Sequence, residues 1–412
     1  MIEFQKFSLK NGLKVIVHQD KTTPVVAMNI VYHVGAKNEN PELTGFAHLF
    51  EHLMFGGSVN IPKYDEPLQK VGGENNAFTN NDITNYYLSL PKENIETGFW
   101  IESDRMLDLA FSKKSLEVQR SVVIEEYKQR YLNQPYGDLW LLLRPLVYQV
   151  HPYQWATIGK NIQHIEEAQM EDVQDFYHRF YNPENAILVV AGDVEVDQIK
   201  ELSEKWFGGI QKTHFVNRDL PMEPEQTEAR FLQVNRDVPA NTIFKVFHTC
   251  DRLSADYEIT DLISDLLGNG KSSQLYQNLV QGKKLFTSIS CYLSGDIHPG
   301  MIYIAGYLTE GTIPEEADQA ITDELNIFMN NQVEEKRLQK VKNKYMAAKE
   351  FSNLNILDKA MDLAYYELLG DAEWANSERN RYQAVRVEDV QRVAKDIFQI
   401  QKSNTLYYLK NN

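Results

Sequence analysis

Residues 45–57 read Gly45-Phe46-Ala47-His48-Leu49-Phe50-Glu51-His52-Leu53-Met54-Phe55-Gly56-Gly57. With helical geometry, about 100° per residue, Phe46, Leu49, Phe50, Leu53 and Met54 fall on one apolar stripe. His48 and His52 stand one turn apart on the opposite side, and Glu51 lies about 60° from His48 on that polar side. Thr44 is the expected N-cap and the Gly56-Gly57 pair the expected stop. Two imidazoles at i and i+4 can meet one Zn²⁺ at roughly 2.0–2.1 Å each. Glu51 is too poorly placed to be a ligand, but it can reach a water on the metal. The order His-x-x-Glu-His reverses the thermolysin-type motif. The plain alternative is a pair of histidines on a solvated helix face. With only 10 histidines in the chain, chance supplies this pattern roughly once in fifty such sequences.

A catalytic zinc takes three protein ligands and keeps one position open. The strongly helical stretch from Val118 to Tyr131 carries Glu125 and Glu126 side by side. On a wheel, Glu126 stands between Val122 and Val123 on the half-buried face, whereas Glu125 points to water with Ser121 and Lys128. A carboxylate on a packed face is costly unless paired or coordinated, which selects Glu126 as third ligand. Zinc acidifies its water and polarises a carbonyl, and Glu51 is then the base that takes the proton. The expected reaction is hydrolysis of a peptide bond.

The rest of the chain frames this site. Its 412 residues are 43% hydrophobic and 24% charged, enough for two or three folded domains. A net charge of -16 argues against a nucleic-acid partner. The two cysteines, Cys250 and Cys291, form no Cys-x-x-Cys pair and read as free buried thiols. The first ten residues show no secretory pattern, and no apolar run approaches the roughly 20 residues of a membrane span. The expectation is a cytoplasmic protein without a membrane partner, or a periplasmic one if a signal was removed.

Strands are expected at Leu13–Val17, Val25–Val34 and Asn85–Leu90, and helices through Ile95–Leu132. Glu171-Asp172-Val173-Gln174 recurs as Glu388-Asp389-Val390-Gln391, 217 positions on, each copy leading through a helix to an apolar strand. Asn29-Ile30-Val31-Tyr32-His33 matches Phe244-Lys245-Val246-Phe247-His248 at an offset of 215. The two matches bracket a polar, proline-containing stretch and predict a duplicated α+β domain. The expected division is 1–212 with the metal site, a linker at 213–228, and a homologous domain at 229–412 without ligands. Projecting His48 and His52 by 215 positions lands on Ile263 and Leu267.

Leu9-Lys10-Asn11-Gly12-Leu13, Gly45 to Gly57, Gly72 to Tyr87, Arg120 to Glu126, and Tyr181-Asn182-Pro183 leading into Ala191-Gly192-Asp193 together carry a wider likeness. The chain resembles the pitrilysin/insulysin family of inverzincin zinc metallopeptidases, in the short two-domain branch similar to mitochondrial processing peptidase. The resemblance implies two homologous domains, each a mainly antiparallel sheet packed with helices, forming half of a clamshell. It implies a third ligand 74 to 76 residues beyond the second histidine, and Glu126 lies 74 beyond His52. It also implies that Gly73–Thr79 is a strand to which an extended peptide adds by main-chain hydrogen bonds, with Asn76 and Ala77 holding substrate. A dimer, with itself or with a non-metal-binding sister chain, would complete the clamshell.

Two places depart from the family pattern. A glutamate often found seven residues before the ligand is Gln119 here. An arginine and a tyrosine that clamp substrate from the second domain correspond to Val280 and Thr287. The leading expectation is a zinc metalloendopeptidase with one Zn²⁺ per chain. The alternative is a weakly active or non-catalytic peptide-binding subunit.

Overall fold

The computed structural model describes residues 1–213 and 219–411. Eleven strands alternate with helices: β1 (Gln5–Ser8), β2 (Lys14–Gln19), β3 (Val25–Tyr32), β4 (Glu74–Thr79), β5 (Thr84–Pro91), β6 (Ala186–Gly192), β7 (Arg230–Arg236), β8 (Thr242–His248), β9 (Phe286–Leu293), β10 (Met301–Leu308) and β11 (Asn404–Lys410). They form two sheets, ordered β1-β2-β6-β3-β5-β4 and β7-β11-β8-β10-β9. Every pairing is antiparallel except β2 with β6 and β7 with β11.

The orders reveal the duplication directly. Replacing β2, β6, β3, β5 and β4 by β7, β11, β8, β10 and β9 turns one sheet into the other, with the lone parallel pair in the same place. The repeated Glu-Asp-Val-Gln segments begin the equivalent helices Met170–Phe180 and Val387–Ile397, which precede β6 and β11. Both architecture and antiparallel character match the α+β expectation. Central strands such as β3 and β6 are apolar almost throughout because both sheet faces are covered. The edge strand β4 alternates exposed and half-buried residues instead.

The contacts divide the chain less simply than a cut at 213–228. One compact unit holds residues 1–128, 155–220 and 349–377; the other holds 129–154, 221–348 and 378–412. The cause is an exchange of equivalent helices. Leu139–Val147, from the first copy, lays its fully buried Leu143 and Val147 against Phe244, Val246, Leu406 and Tyr408 of the second sheet. Ile356–Leu369, from the second copy and 217 positions on, packs against β3 and β6 with Ala360, Leu363 and Ala364 buried. Of the expected linker, residues 214–218 lie outside the described residues. Beyond them the segment is docked rather than free: Gln226 is buried and donates to the Ser403 carbonyl while accepting from Asn404.

This exchange has a testable consequence. Residues 1–212 expressed alone would leave one face of β3 and β6 uncovered. The fragment is expected to bind a hydrophobic dye and to lack near-ultraviolet circular dichroism, whereas the full chain does neither.

Cys250 and Cys291 are both free thiols, the first only partly buried. No helix among the described residues is long and apolar enough to cross a membrane.

Candidate metal centre

The helix Phe46–Leu53 presents its apolar stripe as the periodicity requires: Phe46, Leu49, Phe50, Leu53 and Met54 are all buried. Phe50 stacks on Phe176 and Tyr181 at ring separations of 5.0 and 5.3 Å. Beneath the segment that follows the helix lies a wholly buried ion pair, Glu102 with Arg105, whose guanidinium faces the rings of Tyr64 and Tyr86 at 4.7 and 4.3 Å. Glu102 also accepts from the Tyr64 hydroxyl, and Asp104 accepts from Ser58 and Asn60. The helix carrying these acids thereby fixes the chain leaving the metal-site helix.

The start of the helix differs from expectation. Thr44 is not the cap; its hydroxyl accepts from the Lys160 amide and lies beside His164 Nδ1. Gly45 takes the N-cap place with φ near 90°, and a Cβ there would stand 2.7 Å from the Ile158 carbonyl oxygen. The capping acceptor comes from six residues upstream: the buried Glu39 carboxyl accepts the amides of Gly45 and Ala47 at 2.9 Å each. Burial pushes the Glu39 carboxyl up to about 8, against the opposing pull of those amides. An unfolded glutamate titrates near 4.5. Between these values the unfolded chain has released a proton that the folded chain retains, so this group lowers stability as pH rises from about 5 to about 8. Relative to Glu39→Gln, the wild type is expected to lose unfolding free energy across that window, read by urea titration at each end.

The third side chain arrives on the helix Lys113–Tyr127, which opens with Ser112 capping the Ser115 amide at 3.0 Å. Arg120 anchors this helix by donating to the carbonyls of Ile165 and Ala168. Val123 and Tyr127 are buried, as the wheel suggests, but Val122 is 44% exposed, so Glu126 sits at the margin of the packed face and not inside it. Glu125 is exposed beside Lys128 as expected. The helical stretches expected through 95–132 are separated between Leu107 and Lys113, where Phe111 has φ near 38°.

The structure brings His48, His52 and Glu126 together. One donor atom from each lies within 4.8 Å of the others. Glu126 Oε2 is 3.7 Å from His48 Nε2 and 3.5 Å from His52 Nε2. Bonds of 2.0–2.1 Å at a tetrahedral ion place donor atoms about 3.3 Å apart, so this donor set fits one zinc after small adjustments. The side chains are 13%, 24% and 17% exposed, leaving an open side for water and substrate. Among the described residues this is the one cluster of its kind.

Glu51 lies next to this cluster. Its carboxylate accepts from the Thr79 hydroxyl and the Thr79 backbone amide. Burial raises its pKa, an effect that the Thr79 bonds and His52 oppose and Glu126 reinforces. Sequence pattern gives no role to Glu39 or Thr79: nothing local in the strand at 73–79 signals the contact of Thr79 with Glu51, and Glu39 reaches the amides of Gly45 and Ala47 across a loop.

Thr79 ends β4, the edge strand, which pairs only with β5. Because the Thr79 amide turns away from β5 toward Glu51, alternation turns the amides of Ala77 and Asn75 the same way, toward the open edge. The Ala77 amide meets the Asn76 side chain there at 2.8 Å. Gln119 is half-buried on the Glu126 helix. In the second unit Val280 packs against the core and Thr287 donates to the Tyr307 carbonyl. The projected ligand positions Ile263 and Leu267 are fully buried core residues.

A two-sheet duplicated fold with a paired histidine helix defines a class, and two family models match it: "Insulinase (Peptidase family M16)" over residues 14–137 and "Peptidase M16 inactive domain" over residues 167–345. The chain belongs to peptidase family M16, in its two-domain form. Zinc protease PqqE of Helicobacter pylori is 29% identical over 98% of this chain and 92% of its own length. A crystal structure of a protease from Helicobacter pylori superposes with TM-score 0.92 and 27% identity over 99% of this chain and all of that one. Pitrilysin shares the fold at TM-score 0.79 and 17% identity, with 99% of this chain covering 45% of the pitrilysin chain.

Proposed function

We propose that this protein is a zinc-dependent endopeptidase that hydrolyses peptides or unfolded segments. The convergence of His48, His52 and Glu126 carries this reading, with Glu51 alongside. His48, His52 and Glu126 would hold one Zn²⁺, which when bound supplies a Lewis acid for the scissile carbonyl and an acidified water. Glu51, oriented by Thr79, takes the proton from the attacking water and passes it to the leaving amine. The open edge of β4 receives an extended peptide as an added strand, with Asn76 and Ala77 nearest its backbone. That edge and the proton acceptor share Thr79, so binding and chemistry stay in register.

A second reading, a weakly active or non-catalytic peptide-binding subunit, draws on Gln119, Val280 and Thr287, which supply none of the charged or phenolic groups of the family pattern. Pairing with a second copy or a sister chain, the arrangement the family resemblance implies, would complete a substrate-enclosing clamshell. Purified protein is expected to contain about one zinc per chain and to cleave a quenched fluorescent peptide until a chelator is added. Zinc retention without cleavage would favour the second reading; absence of zinc would overturn the first.

A further inference from the structure

The open edge of β4 is shorter than the strand itself. Asn80 donates its amide to the Ile83 carbonyl at 3.0 Å, and this bond closes the turn from β4 to β5. Alternation from that bond gives Phe78, Asn76 and Glu74 to β5 and turns the main-chain groups of Thr79, Ala77, Asn75 and Gly73 outward. The two end amides of this outward row are spent within the chain. Thr79 donates to Glu51, and Gly73 donates to the Leu68 carbonyl at 2.9 Å. Past Thr79 the edge stops: the chain turns back, and the carbonyls of Asn80 and Asn81 accept from the amides of Ala36 and Lys37. What is left is a window at Asn75 and Ala77. Within it, the Ala77 amide already holds an amide oxygen, that of the Asn76 side chain, at 2.8 Å, in the place a peptide carbonyl would take. Asn76 is exposed, so an arriving strand can displace it.

The window lies to one side of the chemistry. Glu51 is at the Thr79 end, and so is the water it serves. This part of the sheet is antiparallel throughout, β3 with β5 and β5 with β4, and antiparallel addition is the more stable per residue. A peptide added in that way runs from its N- to its C-terminus as β4 runs back from Thr79 to Asn75. Its scissile carbonyl then sits at the Thr79 end, and the residues beside Ala77 and Asn75 follow the scissile bond.

We propose that the protein grips its substrate as a strand only on the C-terminal side of the scissile bond, through the residues opposite Ala77, Asn76 and Asn75. The first and last of these exchange both main-chain hydrogen bonds with the edge, and the middle one exchanges none. The N-terminal side leaves the sheet at Thr79 without strand contacts. The substrate class is therefore a peptide with about three or more extended residues beyond the cleaved bond. Cuts close to a free N-terminus are allowed, and removal of the last one or two residues of a chain is not. This inference rests on the peptidase reading for the position of the scissile bond.

The test is calorimetric titration of the zinc-loaded full chain with two series of alanine peptides, each anchored on the metal by a hydroxamate. One series carries the hydroxamate through a succinyl group at the N-terminus, so its residues lie on the C-terminal side of the scissile position. The other carries it at the C-terminus. The first series should gain about fivefold in affinity at each of two alternate residues and then level off, while the second stays within about twofold at every length. N-methylation of the residue opposite Ala77 should remove about fivefold, and N-methylation of the next residue should cost little. Ala77→Pro deletes only an outward amide, a place where an edge strand tolerates proline. That variant is expected to keep the zinc content and Tm of the wild type and to lose about fivefold in affinity for the longer members of the first series. The proposal is overturned if the two series gain equally, if the second gains more, or if N-methylation shows no alternation. The predicted asymmetry in a protein that cleaves no peptide would leave this inference standing and remove the peptidase reading. A protein that holds no zinc and binds neither series would overturn both.

Discussion

Glu51→Gln is expected to lower kcat/KM for peptide cleavage by about 10²- to 10⁴-fold, the usual contribution of a positioned general base, while the zinc content stays at one per chain. The amide is nearly isosteric and can still accept from Thr79, so packing around the site helix should not change. It cannot take a proton from water at any accessible pH. A merely structural Glu51 would tolerate the exchange with little loss. The discriminating outcome is therefore lost turnover together with retained metal. Full activity in Glu51→Gln would remove this residue from the chemistry.

The second large effect is on the metal itself. Glu126→Gln replaces an anionic oxygen 3.5 and 3.7 Å from the two histidine nitrogens by a neutral amide. Loss of an outer-shell partner typically weakens metal binding about 10- to 100-fold, and loss of a direct ligand should exceed that. Cleavage should disappear with the zinc. Glu125→Gln, one residue away and exposed beside Lys128, serves as control and should leave zinc and activity at wild-type levels. Equal zinc affinity in the two variants, measured by competition with a chelator, would show that Glu126 is not a ligand.

How much of this was legible in the sequence follows from the range of each interaction. The histidine pair and its apolar stripe could be read because helical geometry relates residues three and four apart. Glu126 could be chosen over Glu125 for the same reason, although the wheel placed Val122 inward when it lies in the open. Periodicity says that a face is apolar, not whether a neighbour covers it. The cap at Gly45 was assigned to the adjacent Thr44 because local capping rules look one residue away, whereas Glu39 arrives from a loop whose course depends on the whole fold. The repeat revealed the duplication, and the sheet orders bear it out. The exchange of Leu139–Val147 for Ile356–Leu369 was invisible, since an amphipathic helix specifies that it will be covered but not by which of two similar sheets. Thr79 illustrates the same limit at the site: its contact with Glu51 joins an edge strand to a helix that begins 33 residues earlier, at Phe46.

The account rests on a single ion held jointly by His48, His52 and Glu126, and diffraction at the zinc absorption edge would test it most directly. Crystals of the full chain grown with zinc are predicted to show one anomalous peak per chain, roughly 2.0–2.1 Å from a nitrogen of each histidine and from a Glu126 oxygen. A peak elsewhere, or one bound by the histidines with Glu126 turned away, would contradict it.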